Sequence, residues 1–174
     1  MLDIIIQGGT VVNGSGPSVR GDVGIREGRI VSVGRVTAGA EVVINASGCA
    51  VCPGFIDMHS HNDYFLLDEQ PFTGKVLQGV TTEVVGNCGF SAAPFAEGME
   101  GFAHTCETIL GRVPDCLSWE EYIGRLSSAP LATNVVPLVG HGNLRVYAMG
   151  DADRNPDAAE MRRMREMLED AMRG

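Results

Sequence analysis

Positive charge is what this sequence has least of. It holds a single lysine, Lys75, and 13 basic against 22 acidic residues, a formal net charge of −9. Binding to nucleic acid or to an anionic membrane draws on clustered Lys and Arg that neutralise phosphates and release counterions, so neither partner is expected. The one dense basic group, Arg162, Arg163 and Arg165, is interleaved with acids and reads as a solvated helix face. Long apolar runs are also missing. No stretch approaches the ~18 unbroken apolar residues of a membrane span, and MLDIIIQGG at the N-terminus has an acid in its short apolar run and no basic residue before it, unlike a secretory signal. Five cysteines, Cys49, Cys52, Cys88, Cys106 and Cys116, are odd in number and irregularly spaced. That does not suit a secreted disulfide framework, and it places the chain in a reducing cytoplasm. Cys49-x-x-Cys52 has neither a helix start nor a second CxxC, so it reads as two buried structural thiols.

What is there is a globular composition, 44% hydrophobic and 20% charged over 174 residues, enough for one domain or one and a part. Residues 1–52 read as short strands with glycine turns: DIIIQGGTVVNGSG, GDVGIREGRIVSVGR and AEVVINASG, with a hairpin turn at REG. A small antiparallel sheet is expected. From residue 53 the rhythm changes to strand GFIDMHS, short helix FTGKVLQGV, strand TTEVVGNC, a long loop, helix SWEEYIGRLSS and strand NVVPLVGHG. Ser118 and Glu121 form a capping box for the SWEEY helix. A last helix has Asn155 as cap and Pro156 in its first turn, with Met161, Met164, Leu168 and Ala171 on one face. Arg162–Glu166 and Arg165–Glu169 pair on the other, and Gly174 stops it. Alternation of strand and helix is the grammar of a parallel α/β structure, although Pro137 cannot donate to a ladder.

In such a sheet chemistry collects at the carboxyl ends of the strands. An extended PGFIDMHSHNDY places Phe55, Asp57, His59 and His61 on one face, because strand side chains alternate with a period of two. The two imidazoles either chelate a metal or are satisfied polar residues at a strand end. Cys88 falls at the end of the second strand and His141 at the end of the third, so four N or S donors are expected on one rim. Imidazole and thiolate suit zinc. For Cys88 the competing reading is a small residue buried in a tight Gly86-Asn87-Cys88-Gly89 turn.

Three motifs carry a resemblance. PGFIDMHSHND resembles the first-strand motif of the amidohydrolase superfamily, whose His-x-His pair binds the metal of a distorted TIM barrel; VTTEVVGNCGFSAAP and NVVPLVGHGNLR are similar to the second and third strands of its D-aminoacylase or N-acyl-D-amino-acid deacylase branch. The resemblance implies an α/β fold with the first three βα units of an incomplete TIM-like barrel in residues 53–174, preceded by strands of a small β-sandwich in residues 1–52. It implies hydrolysis of an N-acyl-D-amino acid to a carboxylate and a free D-amino acid. One or two zinc ions would polarise the carbonyl and lower the pKa of bound water to roughly 7. His59, His61 and Cys88 are the implied ligands. Asp63 and Asn87 orient ligands or substrate; His141 contacts substrate or holds its loop; Arg145 pairs with a substrate carboxylate or stays on the surface.

The chain departs from the family pattern in two ways. A whole barrel takes about 250 residues, whereas residues 53–174 supply 122, and the later histidines and the aspartate general acid/base are expected beyond Gly174. Many superfamily members also use a carboxylated lysine on the fourth strand, and Lys75 follows the first. The expectation is therefore an N-terminal portion of an enzyme, with negligible turnover by itself and a barrel edge that self-associates. A cyclic-amide hydrolase of the dihydroorotase or hydantoinase type, or a silent scaffold on the same fold, is the alternative.

Overall fold

The computed structural model describes residues 1–68, 74–115 and 117–173. The chain divides into two compact units, Met1–Pro53 and Gly54–Gly174.

The first unit is one sheet of five strands: β1 (Leu2–Val11), β2 (Val19–Arg26), β3 (Arg29–Gly34), β4 (Ala40–Asn45) and β5 (Ala50–Val51), in the order β3-β2-β1-β4, with β5 also on β1. The REG hairpin forms as expected. Glu27 and Gly28 both take left-handed φ, 52° and 69°, which matches the twist of the strands they join, and the Glu27 amide donates to Asp3 Oδ2 at 2.6 Å. The sheet is mixed, however, not antiparallel: β4 and β5 run parallel to β1, with Ile4 opposite Val42 and Val11 opposite Val51. Alternation in a sequence identifies strands but carries nothing about which neighbour each will join. Asp22 helps to choose. Its carboxylate accepts from Gly8, in the β1 bulge, and from Val36, in the connection that carries the chain across to β4. Cys49 and Cys52, expected to be buried, are exposed on either side of the two-residue β5, because so short an edge strand covers neither side chain.

In the second unit β6 (Phe55–Asp57), β7 (Val80–Val85) and β8 (Asn134–Pro137) form a parallel sheet in that order. Pro137 is harmless there: it is the last residue of an edge strand. Four helices accompany the strands, α1 (Glu100–Leu110), α2 (Trp119–Ser128), α3 (His141–Met149) and α4 (Ala158–Ala171). The Ser118–Glu121 capping box forms on α2 as expected. α1 stands where a loop was expected, and its first turn has no side-chain cap to announce it. α3 likewise begins at Gly140-His141-Gly142, which reads as a turn.

Other boundaries move. α4 is capped by Asp157 with Glu160, not by Asn155. Its buried residues are Glu160 and Met164, with Met167 half-buried, while Met161 and Leu168 are exposed. Arg162, Arg163 and Arg165 face solvent as expected, but among the described residues the ion pairs of this helix are Arg154 with Glu160 at its start and Arg173 with Glu169 and Asp170 at its end. Phe72 and Thr73, which begin the expected FTGKVLQGV helix, lie outside the described residues; the remainder is a single 3-10 turn, Val76–Gln78, closed by Gly79 at φ 85°. Cys116 and Gly174 also lie outside them.

Three apolar clusters hold the unit: Tyr64, Phe95, Met99, Phe102 and Cys106; Ala92, Ala93, Leu117, Tyr122 and Leu126; and Leu144, Ala148 and Met164. Among the described residues no helix is long and apolar enough to cross a membrane.

Candidate metal centre

Regular strand geometry ends at Asp57, two residues before His59, so the histidine pair is not carried on the extended face that alternation implies. The chain turns instead. Asp57 Oδ1 accepts the His59 amide at 3.1 Å, and the Ser60 amide reaches Val84 O on β7 at 3.0 Å. The two imidazoles end 5.6 Å apart between ring centres, inclined by 65°.

The sulfur comes from a tight turn at the end of β7. Gly86 (φ 80°), Cys88 (φ 58°) and Gly89 (φ 83°) are all left-handed. For a cysteine this conformation costs ~1–2 kcal/mol, and such strain persists where the surroundings impose it. Gly86 is required by space as well, since a Cβ there would stand 2.0 Å from Leu138 O. Asn87 ties the turn down, its Nδ2 donating to Val84 O at 2.8 Å and Ser60 O at 3.3 Å. Cys88 is exposed, not buried in its turn.

These elements bring one donor atom each from His59, His61 and Cys88 to within 4.8 Å of one another. His59 Nε2 lies 3.0 Å from Cys88 Sγ. His61 Nδ1 is buried with no hydrogen-bond partner among the described residues, an orphan that a coordinated ion or a bonded group would satisfy. Burial, and then the charges of His59 and Lys75, hold the His61 imidazole below its ordinary pKa, toward the neutral form that ligates metals. Two nitrogens and a sulfur at this spacing fit zinc, with room for a further ligand.

His141 does not join the trio. It is the exposed first residue of α3 and lines a cleft of about 470 Å³ with Cys88, Phe90, Phe102, Thr105 and Arg145. Arg145, expected after a loop, lies within α3, and its Nη2 donates to Ala152 O at 2.6 Å and Arg154 O at 3.0 Å, holding the connection to α4. Asp63 is buried behind the site; its Oδ2 accepts from the Ala92 amide at 2.8 Å and its Oδ1 has no partner among the described residues. Burial pushes this carboxyl up to about 7 against the pull of the Ala92, Asp63 and Gly86 amides.

Two supports escaped the sequence reading. Asn143, fully buried, accepts from Ser91 N and donates to Ser91 O and Pro94 O, which fixes the loop after Cys88 against α3. Glu83, 1% exposed in the middle of β7, is paired with Lys75. A lone acid inside the strand VTTEVV and a lone lysine were the available signals.

Residues 42–174 match the model of the amidohydrolase family. The chain is 42% identical over 173 residues to the N-acyl-D-glutamate deacylase of Alcaligenes xylosoxydans xylosoxydans, covering 98% of this chain and 35% of that protein. The crystal structure of N-acyl-D-glutamate deacylase from Bordetella bronchiseptica, complexed with zinc and a phosphonate mimic of the tetrahedral intermediate, superimposes with a TM-score of 0.87 at 41% identity, covering 99% of this chain and 36% of that one. A structure of D-aminoacylase with a binuclear metal centre gives a TM-score of 0.89 at 37% identity, with 99% and 37% covered. The chain thus spans about a third of the length of these relatives.

Proposed function

Because the chain belongs to the amidohydrolase family, we propose that it carries metal donors of a zinc-dependent deacylase that hydrolyses N-acyl-D-amino acids to a carboxylate and the free D-amino acid. One observation carries the reading: the Cys88 thiol stands within 4.8 Å of donors from both His59 and His61, and the likeness to deacylases that act on N-acyl-D-amino acids supports it. His59, His61 and Cys88 hold one zinc ion or share in holding two. When bound, zinc supplies Lewis acidity toward the scissile carbonyl and a water of lowered pKa.

The chain's own residues arrange the rest. Asn87 fixes the turn that presents the thiol, and Asp63 braces the segment after His61 from behind. His141 and Arg145 line the cleft that opens beside Cys88, where a small N-acyl amino acid has room; in this reading His141 meets the substrate, and Arg145 contributes positive charge toward its carboxylate. The three parallel strands with their helices, residues 53–174, are the first units of a TIM-like barrel, and residues 1–52 are strands of a β-sandwich. The protein works in the cytoplasm, on a small molecule and not on nucleic acid.

The test is amino-acid release from N-acetyl-D-glutamate and its L enantiomer by the protein that carries this chain, zinc-loaded or stripped by chelator. D-selective release that chelation abolishes is expected. Opening of a hydantoin ring with no release from either acyl amino acid overturns the reading in favour of a cyclic-amide hydrolase.

A further inference from the structure

The buried acid on β7 and the chain's single lysine form a network that neither the metal donors nor the apolar clusters account for. Glu83 is 1% exposed, and a carboxylate so placed is tolerated only when paired and hydrogen-bonded. It is fully served. Oε2 accepts from Ser60 Oγ at 3.0 Å and lies 2.9 Å from Lys75 Nζ, and Oε1 accepts from Thr133 Oγ1 at 2.8 Å and Asn62 Nδ2 at 3.4 Å. Lys75 also donates to Asp57 Oδ2 at 2.5 Å and to Ser60 Oγ at 2.6 Å. An ammonium has three N–H donors, and here each has its own acceptor.

Those acceptors are placed around the histidines. Asp57 precedes His59 and takes its amide on the other carboxylate oxygen. Ser60 stands between His59 and His61, and its hydroxyl also accepts the Asn62 amide at 3.1 Å. One ammonium, anchored on the buried Glu83, therefore grips the backbone segment 57–62 on both sides of His59.

We propose that Lys75, seated on Glu83, is a positioning residue that fixes the His59-x-His61 segment in the geometry needed to bind the metal. This rests on the reading of His59, His61 and Cys88 as ligands. Lys75 touches none of the three donor atoms; it acts through Asp57 and Ser60. Groups that orient ligands from behind typically contribute ~10–100-fold in metal affinity.

Cobalt(II) titration of the full chain, followed by the cobalt–thiolate absorption band, tests the proposal, with urea unfolding run in parallel. Lys75→Met is expected to bind cobalt ~10–100-fold more weakly than wild type, and Lys75→Arg to recover part of that loss. Thr133→Val removes a partner of Glu83 on the β8 side, away from segment 57–62; it is expected to lose stability and bind cobalt as wild type does. Should Lys75→Met fail to fold, Ser60→Ala carries the test, because it deletes the grip between the histidines while leaving the Lys75–Glu83 pair. Wild-type affinity in Lys75→Met or in Ser60→Ala, or equal loss of affinity in Thr133→Val, overturns the positioning role and leaves the metal site standing. Absence of the thiolate band from wild type overturns the metal reading, and this proposal with it.

Discussion

Cys88 occupies the most constrained position of the site, a left-handed residue between two left-handed glycines. Asn87 ties that turn to Val84 on β7 and to Ser60 beyond β6, so Asn87→Ala should cost about 1–2 kcal/mol in urea unfolding for two lost hydrogen bonds, and should weaken zinc binding. Asp63 sets a pH dependence. Its carboxyl titrates near 3.8 when unfolded and at about 7 when buried, so between those values the folded state holds the extra proton and stability falls as pH rises. In the metal-free chain the urea midpoint should therefore decline from pH 4 to pH 7, and Asp63→Asn should flatten that decline. At this scale the closeness of His59, His61 and Cys88 was legible, since His-x-His and a cysteine at a strand end stand out in a sequence with so few of either. Lys75 and Glu83 were not, because their meaning lies in a contact between a 3-10 turn and a strand interior. The convergence of His141 also failed: α3 starts at that residue and carries it to the cleft, outside the trio.

Among the elements, the ends decide most. A methyl at Gly86 would strike Leu138 O and demand a left-handed φ of 80°, so Gly86→Ala should destabilise by well over the ~1 kcal/mol scale of a compatible glycine exchange, measured by thermal unfolding. α4 begins with a reciprocal cap in which Asp157 Oδ1 accepts from Ala159 and Glu160 while Glu160 accepts the Asp157 amide. Asp157→Ala should cost ~1 kcal/mol. Arg154 and the Asp157 amide hold the Glu160 carboxyl down, from 4.5 to about 2. Its contribution is present above pH 4.5 and is lost as pH falls toward 2. Helices with written caps were legible: the Ser118–Glu121 box located α2 to the residue. α1, whose cap position Met99 offers no side-chain bond, left no signal, and Asn155-Pro156 imitated a start that Asp157-x-x-Glu160 supplies two residues later. Pairing was beyond reach, because β1 accepts β2 antiparallel and β4 parallel with equal hydrophobic logic.

For the whole molecule, each unit leaves apolar surface in water. In the first, Ile30, Val33, Val42 and Val43 are exposed; in the second, Phe55, Ile56 and Met58 on and beside an edge strand are 57–67% exposed. Exposed apolar edges template association, so residues 1–174 expressed by themselves should self-associate with rising concentration, and Ile56→Lys should shift sedimentation velocity toward the monomer. The strand–helix alternation and the three motifs made the class legible from sequence, because each motif sits where a parallel strand ends. The central claim remains the shared mouth of His59, His61 and Cys88. Competition of zinc against a chromophoric chelator, wild type beside Cys88→Ala, tests it most directly. The substitution should weaken zinc binding by more than the ~10–100-fold typical of a lost partner behind a ligand; unchanged zinc affinity in Cys88→Ala would contradict a shared site.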